Sequence, residues 1–379
     1  MLGPMAKLQS RVKQVVEWLG LLLLLCVALI VAGIVGLRMT LGAGEPYPAP
    51  STRPALPSSE LATLVELPFP PGNVAVSASG RIFFNLHPFA KAERFGTASV
   101  FELVDGKPVP FPKGALQADL AGVLGMTVDR QDRLWLVRPA SLEDMRTRLF
   151  AIDLKSGKRV MDYVFPDSTF PPFIQDLRVA PDGKTVYLAD TGLMRLTPAA
   201  LIVFDVARRS ARRMLEGDPS VSAQGWKIVA DGKPLQVLHG TLNFGAGVDG
   251  LTLSEDGATL YFAAMSNDTL YRVPTADLRA GLPDEQLSTR VEPVGNKPLS
   301  DGIERGADGQ IYMTDVENGS VVRIDARGKL TTVISGPDMA WPDGLAMLPG
   351  GDVLVTDSRI PRFLDPMLAP PSRAAYPNE

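Results

Sequence analysis

Hydrophobic and polar positions divide this chain into three regimes. From Trp18 to Leu37 the chain is apolar and carries no charge, and ~20 such residues span a bilayer core as a helix. From Gly42 to Ser59 the pattern gives way to Pro, Ala and Ser, the composition of an extended tether. After the tether one motif recurs: a short apolar run, a turn rich in Gly and Asp, and a second apolar run. The copies begin at Val74, Met126, Leu177, Leu251, Ile303 and Leu345. Their turns include Asp182-Gly183, Asp256-Gly257 and Asp308-Gly309, and Asp-Gly between such runs is a hairpin signal.

The spacings between copies are 52, 51, 74, 52 and 42 residues. Repeats near 40–50 residues, each worth about four strands, predict an all-β, six-bladed β-propeller. In the fifth unit, Ser320 to Asp325 and Lys329 to Ser335 supply the outer strands. The sixth unit lacks a fourth strand, because Pro361, Pro366, Pro370 and Pro371 break the tail. Leu61 to Leu67 is a strand-like run without a partner, so the expected closure lets this N-terminal strand complete the last blade. The 74-residue spacing holds an insertion with an extra hairpin from Trp226 to Val237, and Thr275 to Ala280 reads as a short helix capped by Thr275. The expected organisation is a cytoplasmic segment 1–17, a transmembrane anchor 18–37, a Pro-rich tether 38–60, a propeller 61–365 and a Pro-rich tail 366–379.

Charge sets orientation and excludes partners. Lys7, Arg11 and Lys13 precede the apolar stretch against Glu17 alone, and Arg38 alone closely follows. The positive-inside rule places the N-terminus in the cytoplasm and the propeller in the periplasm or outside the cell. Secretion after cleavage is the rival reading, and Leu41-Gly42-Ala43 is a poor cleavage site for it. Lys+Arg 38 against Asp+Glu 42 leaves a net charge of -4, which disfavours nucleic acid. The one Cys, Cys26, excludes a disulfide framework and a thiolate metal cluster. Gly 35 and Pro 33 fit many short elements and turns.

Standard catalytic signatures are absent, and the only histidines are His87 and His239. The informative residues are carboxylates. Asp176, Asp249, Asp301 and Asp343 stand at the starts of successive innermost strands, and Asn73 holds that place in the first unit. Equivalent positions of successive blades fall on one ring, so these side chains converge at one mouth of the central channel. Second strands return to that mouth, adding Asn85, Arg138, Asp190, Asp315 and Asp357, with His87 just beyond. Crowded carboxylates call for a positive partner, such as one divalent cation (Ca, Mg or Mn) held by oxygen. No organic cofactor is implied. Phe244, Met265 and Trp341 are candidate walls. The Asp-Gly turns lie at the opposite end of each blade and read as structural.

Several segments carry a resemblance: Pro71-Gly-Asn-Val-Ala-Val-Ser, Gln175-Asp-Leu-Arg-Val-Ala-Pro-Asp-Gly, Val248-Asp-Gly-Leu-Thr-Leu-Ser, Ser300-Asp-Gly-Ile-Glu and Tyr312-Met-Thr-Asp-Val-Glu-Asn. Over 61–358 the chain resembles the bacterial branch of the major royal jelly protein/yellow family. More distantly it is similar to gluconolactonase and senescence marker protein propellers. The latter likeness implies one divalent cation at the channel mouth. Asp249 and Asp301 match two ligand positions, and Asn73 falls where an acid is expected. The substrate-handling Asn-Asp pair reads Gln175-Asp176 here. These departures weaken lactone hydrolysis.

The resulting expectation is a membrane-anchored propeller that binds a small cationic or polyhydroxylated ligand at an acidic mouth. Ligand contacts are expected from Asp176, Arg138, His87, Asp315 and Asp343, with a metal, where present, on Asn73, Asp249 and Asp301. The alternatives are a metal-dependent lactonase with Asp301 or Asp249 as base, for which Asp301 is the preferred catalytic candidate, and a non-catalytic scaffold for other proteins.

Overall fold

The computed structural model describes residues 4–90, 96, 98–141, 144–166, 172–192, 194–230, 232–238 and 240–364. His239 and the tail 366–379 lie outside the described residues. The N-terminal apolar stretch lies in one helix, α1 (Pro4–Thr40). Its segment Arg11–Thr40 is long and apolar enough to cross a bilayer, and none of its most apolar window is buried against protein. A helix apolar on every side finds its partner in lipid, as a membrane anchor or a signal sequence does.

The repeats fold as a β-propeller. Pro71–Val76, Ile82–Leu86, Val100–Val104 and Lys107–Pro110 (β1–β4) form the first blade. Met126–Val128, Arg133–Arg138, Arg148–Asp153 and Arg159–Val164 (β5–β8) form the second. Ile174–Val179, Thr185–Asp190, Ala200–Asp205 and Ser210–Met214 (β9–β12) form the third. An insertion follows, made of two small hairpins: Val229–Ala230 with Lys233–Pro234 (β13, β14) and Gln236–Val237 with Leu242–Asn243 (β15, β16). Val248–Leu253, Thr259–Ala264, Thr269–Pro274 and Glu292–Asn296 (β17–β20) form the fourth blade. Ile303–Arg305, Ile311–Asp315, Ser320–Ile324 and Leu330–Ser335 (β21–β24) form the fifth. Pro342–Met347 and Val353–Asp357 (β25, β26) pair as a two-stranded sheet. Within these sheets, strands that follow one another in the chain pair antiparallel.

The ring differs from the expected six blades. Five blades are four-stranded, and the last repeat is a hairpin of two strands among the described residues. The innermost strands β1, β5, β9, β17, β21 and β25 touch in that order, and β25 touches β1, so the ring closes through this hairpin.

The expected closing strand does not form, since no residue of 61–67 is in a strand. Leu61, Leu64 and Leu67 are three apart, so a pleated strand would point them to alternate faces. Instead Leu61 packs with Ile334, Val353 and Val355. Leu67 packs in the cluster of Phe69 and Leu354. The run thus covers the hairpin with side chains rather than a hydrogen-bonded ladder.

The segment before it also lies on the propeller. Ala55 N–H donates to Thr332 O and Leu56 N–H to Val333 O, both at 2.9 Å, along the outer strand β24. This covers backbone that would otherwise be an open edge. Helix Thr275–Ala280 is present, with Pro274 rather than Thr275 at its N-cap. The Thr275 hydroxyl instead donates to Gly257 O at 2.7 Å.

The insertion crosses one end of the ring. Ile228, Leu235, Val237, Leu242 and Phe244 share a core cluster with Phe84 and Leu86 of β2, Trp341, and Ile360 and Phe363 just after β26. This roof determines what reaches the channel beneath it.

Candidate functional site

Three Asp-Gly pairs build the mouth of the channel. The glycine lets the next blade's backbone approach where a side chain would not fit. A Cβ on Gly250 would lie 2.8 Å from Asp301 O, one on Gly302 2.2 Å from Asp343 O, and one on Gly344 2.8 Å from Asn73 Cα. Asp249, Asp301, Asp343 and Asn73 therefore follow one another around the ring. The second blade contributes an apolar side chain, Leu124, in place of a carboxylate, and Gly125 beside it repeats the close approach, since a Cβ there would meet Gln175 O at 2.4 Å.

Register shifts aim the ring residues. Pairing slips between Pro71 and Val74, between Val248 and Gly250, and between Pro342 and Leu345. A similar slip on the third blade falls opposite Ala189 and Asp190. Bulges of this kind turn a side chain out of the ladder and recur beside functional sites. Where β21 begins, Thr314 Oγ1 accepts the backbone N–H groups of Asp301 and Gly302 at 3.0 and 3.1 Å.

Asn73, His87, Asp176, Asp249, Asp301 and Asp343 line one cavity of about 30 Å³. That is room for one or two waters or one compact head group. Phe89, Phe244, Met265, Trp341 and Ile360 complete its apolar walls. The expected walls Phe244, Met265 and Trp341 are thus all at the cavity.

The other expected residues have different work. Arg138 does not line the cavity and is ion-paired with Asp144. Asp315 accepts from the Asn318 side chain at 2.9 Å and from Ser320 Oγ at 3.3 Å, closing its own loop. Asp190 accepts from Phe173 N–H at 3.0 Å and pairs with Arg213. Asp357 accepts from Trp341 N–H at 2.8 Å. Asn85 Nδ2 donates to Val123 O at 2.6 Å and ties the first blade to the second. Residues at the ends of second strands hold loops, whereas those at the starts of first strands face the cavity. The Asp-Gly turns at the far end are local: Asp182, Asp256 and Asp308 each accept a backbone N–H two residues on.

Arg178, which the sequence reading passed over, closes the channel below the cavity. Its Nη1 donates to both oxygens of Asp176, at 3.0 and 3.1 Å, and its Nη2 to Ile303 O and Glu304 at 2.9 and 3.2 Å. The guanidinium thus crosses from the third blade to the fifth. It lines both the upper cavity and a wider opening of about 430 Å³ on the other side. A signal existed, since Arg178 stands two residues after Asp176 on an inner strand and so faces the same side.

The remaining carboxylates lack such a pairing with arginine. Asp249 and Asp343 are 3% and 7% exposed, and the Oδ2 atom of each has no hydrogen-bond partner. Burial, with other ring carboxylates nearby, pushes both well above the usual carboxylate range. Burial also raises Asp301 and Asp176 to about 6, opposed by the Trp341 hydrogen bond in the first case and by Arg178 in the second. His87 supplies no charge. Its Nδ1 accepts from Phe89 N–H at 3.2 Å, which leaves the ring proton on Nε2, 3.7 Å from Asp343 Oδ2. Burial lowers His87 to about 3, so the ring is neutral at pH 7. Lys297 lies within electrostatic reach of Asp249 but does not line the cavity. Burial lowers it to about 7, and its Nζ donates to Pro298 O at 3.0 Å.

The family profile "Major royal jelly protein" matches residues 121–369. The chain belongs to the major royal jelly protein family. A search of curated proteins gives no match. Among solved structures, this family member is similar to a gluconolactonase from Xanthomonas campestris, with 15% identity, 84% of this chain and 96% of that one covered, and a TM-score of 0.53. It is also similar to a calcium-binding protein, regucalcin, from Agrobacterium tumefaciens, with 16% identity, 81% and 88% covered, and a TM-score of 0.53. At these identities the likeness shows the propeller fold.

The expected metal ligands are in part already engaged within the protein. Among the described residues no three His, Cys, Asp or Glu side chains form a group able to hold a metal ion. Asn73 Oδ1 accepts from Val74 N–H at 2.8 Å, and Asp301 Oδ2 accepts from Trp341 Nε1–H at 2.9 Å. Of the three expected ligands, only Asp249 has an oxygen among the buried atoms without a partner.

Proposed function

We propose that this protein binds a small organic cation, an ammonium head group carried on an apolar or aromatic body, at the acidic mouth of its propeller. One observation carries the reading: Asp249 and Asp343 each present a buried, unpartnered carboxylate oxygen to a cavity walled by aromatic side chains. Arg178 is already shared between Asp176 and Glu304, and His87 is neutral. A bound cation would replace the protons that burial keeps on the ring, and the faces of Trp341 and Phe244 suit it by cation–π attraction. The cavity of about 30 Å³ takes the head group alone, so a larger body displaces part of the roof around Phe244.

A metal-dependent hydrolase draws support only from the gluconolactonase-like fold, and fold does not fix activity. The carboxylates fit charge-paired binding better than metal chemistry, and Asp301 is assigned a binding role.

The cellular setting proposed is a single-pass anchor through α1. Lys7, Arg11 and Lys13 keep the N-terminus in the cytoplasm and the propeller outside it.

The test compares benzylammonium with the neutral, nearly isosteric benzyl alcohol as stabilisers of the purified chain at pH 7.5. At a hundredfold excess over Kd, benzylammonium is expected to contribute about 3 kcal/mol, and Asp249→Asn with Asp343→Asn to abolish it. Equal stabilisation by both compounds would leave the carboxylates without a role in binding.

A further inference from the structure

We propose that the propeller rests on the bilayer through its insertion, with the turn around Leu238 seated in the lipid headgroup layer. This rests on the reading of α1 as a membrane anchor.

The distance between helix and insertion carries the argument. The uncharged stretch ends at Leu37 and α1 ends at Thr40, so only about 4.5 Å of helix separates them at 1.5 Å per residue. A headgroup layer is itself roughly 5–7 Å deep on each side of the hydrocarbon. The next residues are already bound to the insertion. Asn243 N–H donates to Leu41 O at 3.0 Å, and Asn243 Nδ2 donates to Ala43 O at 2.9 Å. A Cβ on Gly42 would lie 2.6 Å from Thr241 O, so the two backbones abut. Further on, Lys227 N–H donates to Glu45 O at 2.9 Å, and the rings of Tyr47 and Trp226 lie 4.9 Å apart. No free linker separates the membrane helix from the insertion, so the β15–β16 hairpin enters the headgroup layer wherever α1 spans.

Leu238 gives an independent reason. It lies in the turn between β15 and β16, and Thr241 N–H donates to its carbonyl at 3.2 Å. Its φ of 52° is a left-handed conformation that favours Gly or Asn. Its side chain is nonetheless a large apolar one, 46% exposed. A strained backbone that presents Leu to water gains nothing in solution, whereas in a headgroup layer the same side chain is buried. Phe244, one residue after β16, lines the cavity, so this docking sets the roof of the mouth beside the lipid surface.

The experiment uses the full chain in liposomes, with an environment-sensitive fluorophore at one cysteine and lipids that carry a quencher near the headgroup. Three positions are compared: native Cys26 in α1, Leu238→Cys, and Val160→Cys, the last two with Cys26→Ser. Val160 is 54% exposed on β8 and serves as the aqueous reference. Several-fold stronger quenching at 238 than at 160 is expected, together with bilayer-like emission at 26. Emission from 26 in the bilayer with 238 quenched no more than 160 overturns the docking and leaves the anchor standing. Aqueous emission at both 26 and 238 overturns the anchor reading, and the docking with it. Should Leu238→Cys fail to fold, Leu238→Trp is read against the unmodified chain with brominated lipids. No added quenching from that tryptophan overturns the proposal equally.

Discussion

Trp341 Nε1–H donates to Asp301 Oδ2 at 2.9 Å, joining the last hairpin to the start of the fifth blade across the mouth. The indole stabilises the charged form of a carboxylate that burial otherwise pushes up to about 6. Trp341 is fully buried, so its N–H has no water to turn to.

Trp341→Phe keeps most of the apolar volume and removes this donor. We expect a loss on the order of 1–2 kcal/mol in stability at pH 7.5, with Asp301 titrating at a higher pH than before. Urea unfolding and carboxyl chemical shifts measure the two effects. An unchanged Asp301 titration would mean that the indole does not govern it.

Glycine at the mouth is a packing requirement. Gly302→Ala would place a Cβ 2.2 Å from Asp343 O, which forces the fifth blade away from the last hairpin. The expected cost is about 3 kcal/mol, the upper end for overpacking. Gly350→Ala, where nothing lies within 4 Å, is the control and should be near neutral. Equal denaturation midpoints for the two variants would contradict the close approach.

The ring carboxylates should make the unliganded protein less stable as pH rises. A carboxylate raised in the folded state keeps a proton that the unfolded chain has already released above its own pKa of ~3.9. The folded state then binds more protons, and stability falls as pH increases through that window. For Asp301 the window runs from 3.8 to about 6, and Asp343 is shifted in the same direction by its burial. His87 works in the opposite sense between about 3 and 6.5, since its neutral form is the folded one. Comparison with Asp343→Asn cancels the His87 contribution to first order. The difference in urea midpoint, wild type minus variant, should decline as pH rises above 4. Parallel curves would show that Asp343 is not perturbed.

How much of this could be read from the sequence depended on period and spacing. The hairpin motif located every first strand, because alternation with Asp-Gly turns is local information. The ring residues Asp176, Asp249, Asp301 and Asp343 were legible because a closed ring forces equivalent positions together. Two features depended on side-chain direction and were not legible. Asp190, Asp315 and Asp357 reach the same end of the blade, yet Asp315 turns into its own loop and Asp190 and Asp357 hold the backbone that leads into the first strand of their own repeats. The side that Arg178 faces followed from its place two residues after Asp176, but its reach across the channel to a blade far away in the chain did not. Leu61 to Leu67 looked like a strand by composition, but its leucines recur every third residue and its backbone does not join the sheet.

The central claim is that a cation replaces protons on the buried ring of Asp249, Asp301 and Asp343. The most direct measurement is the number of protons released when benzylammonium binds, obtained by calorimetry in buffers of different ionisation enthalpy from pH 5 to 8. We expect about one proton released per ligand near pH 6.5, with affinity rising as pH increases, because binding requires the carboxylates to ionise. Binding that releases no proton and keeps one affinity across that range would contradict the account.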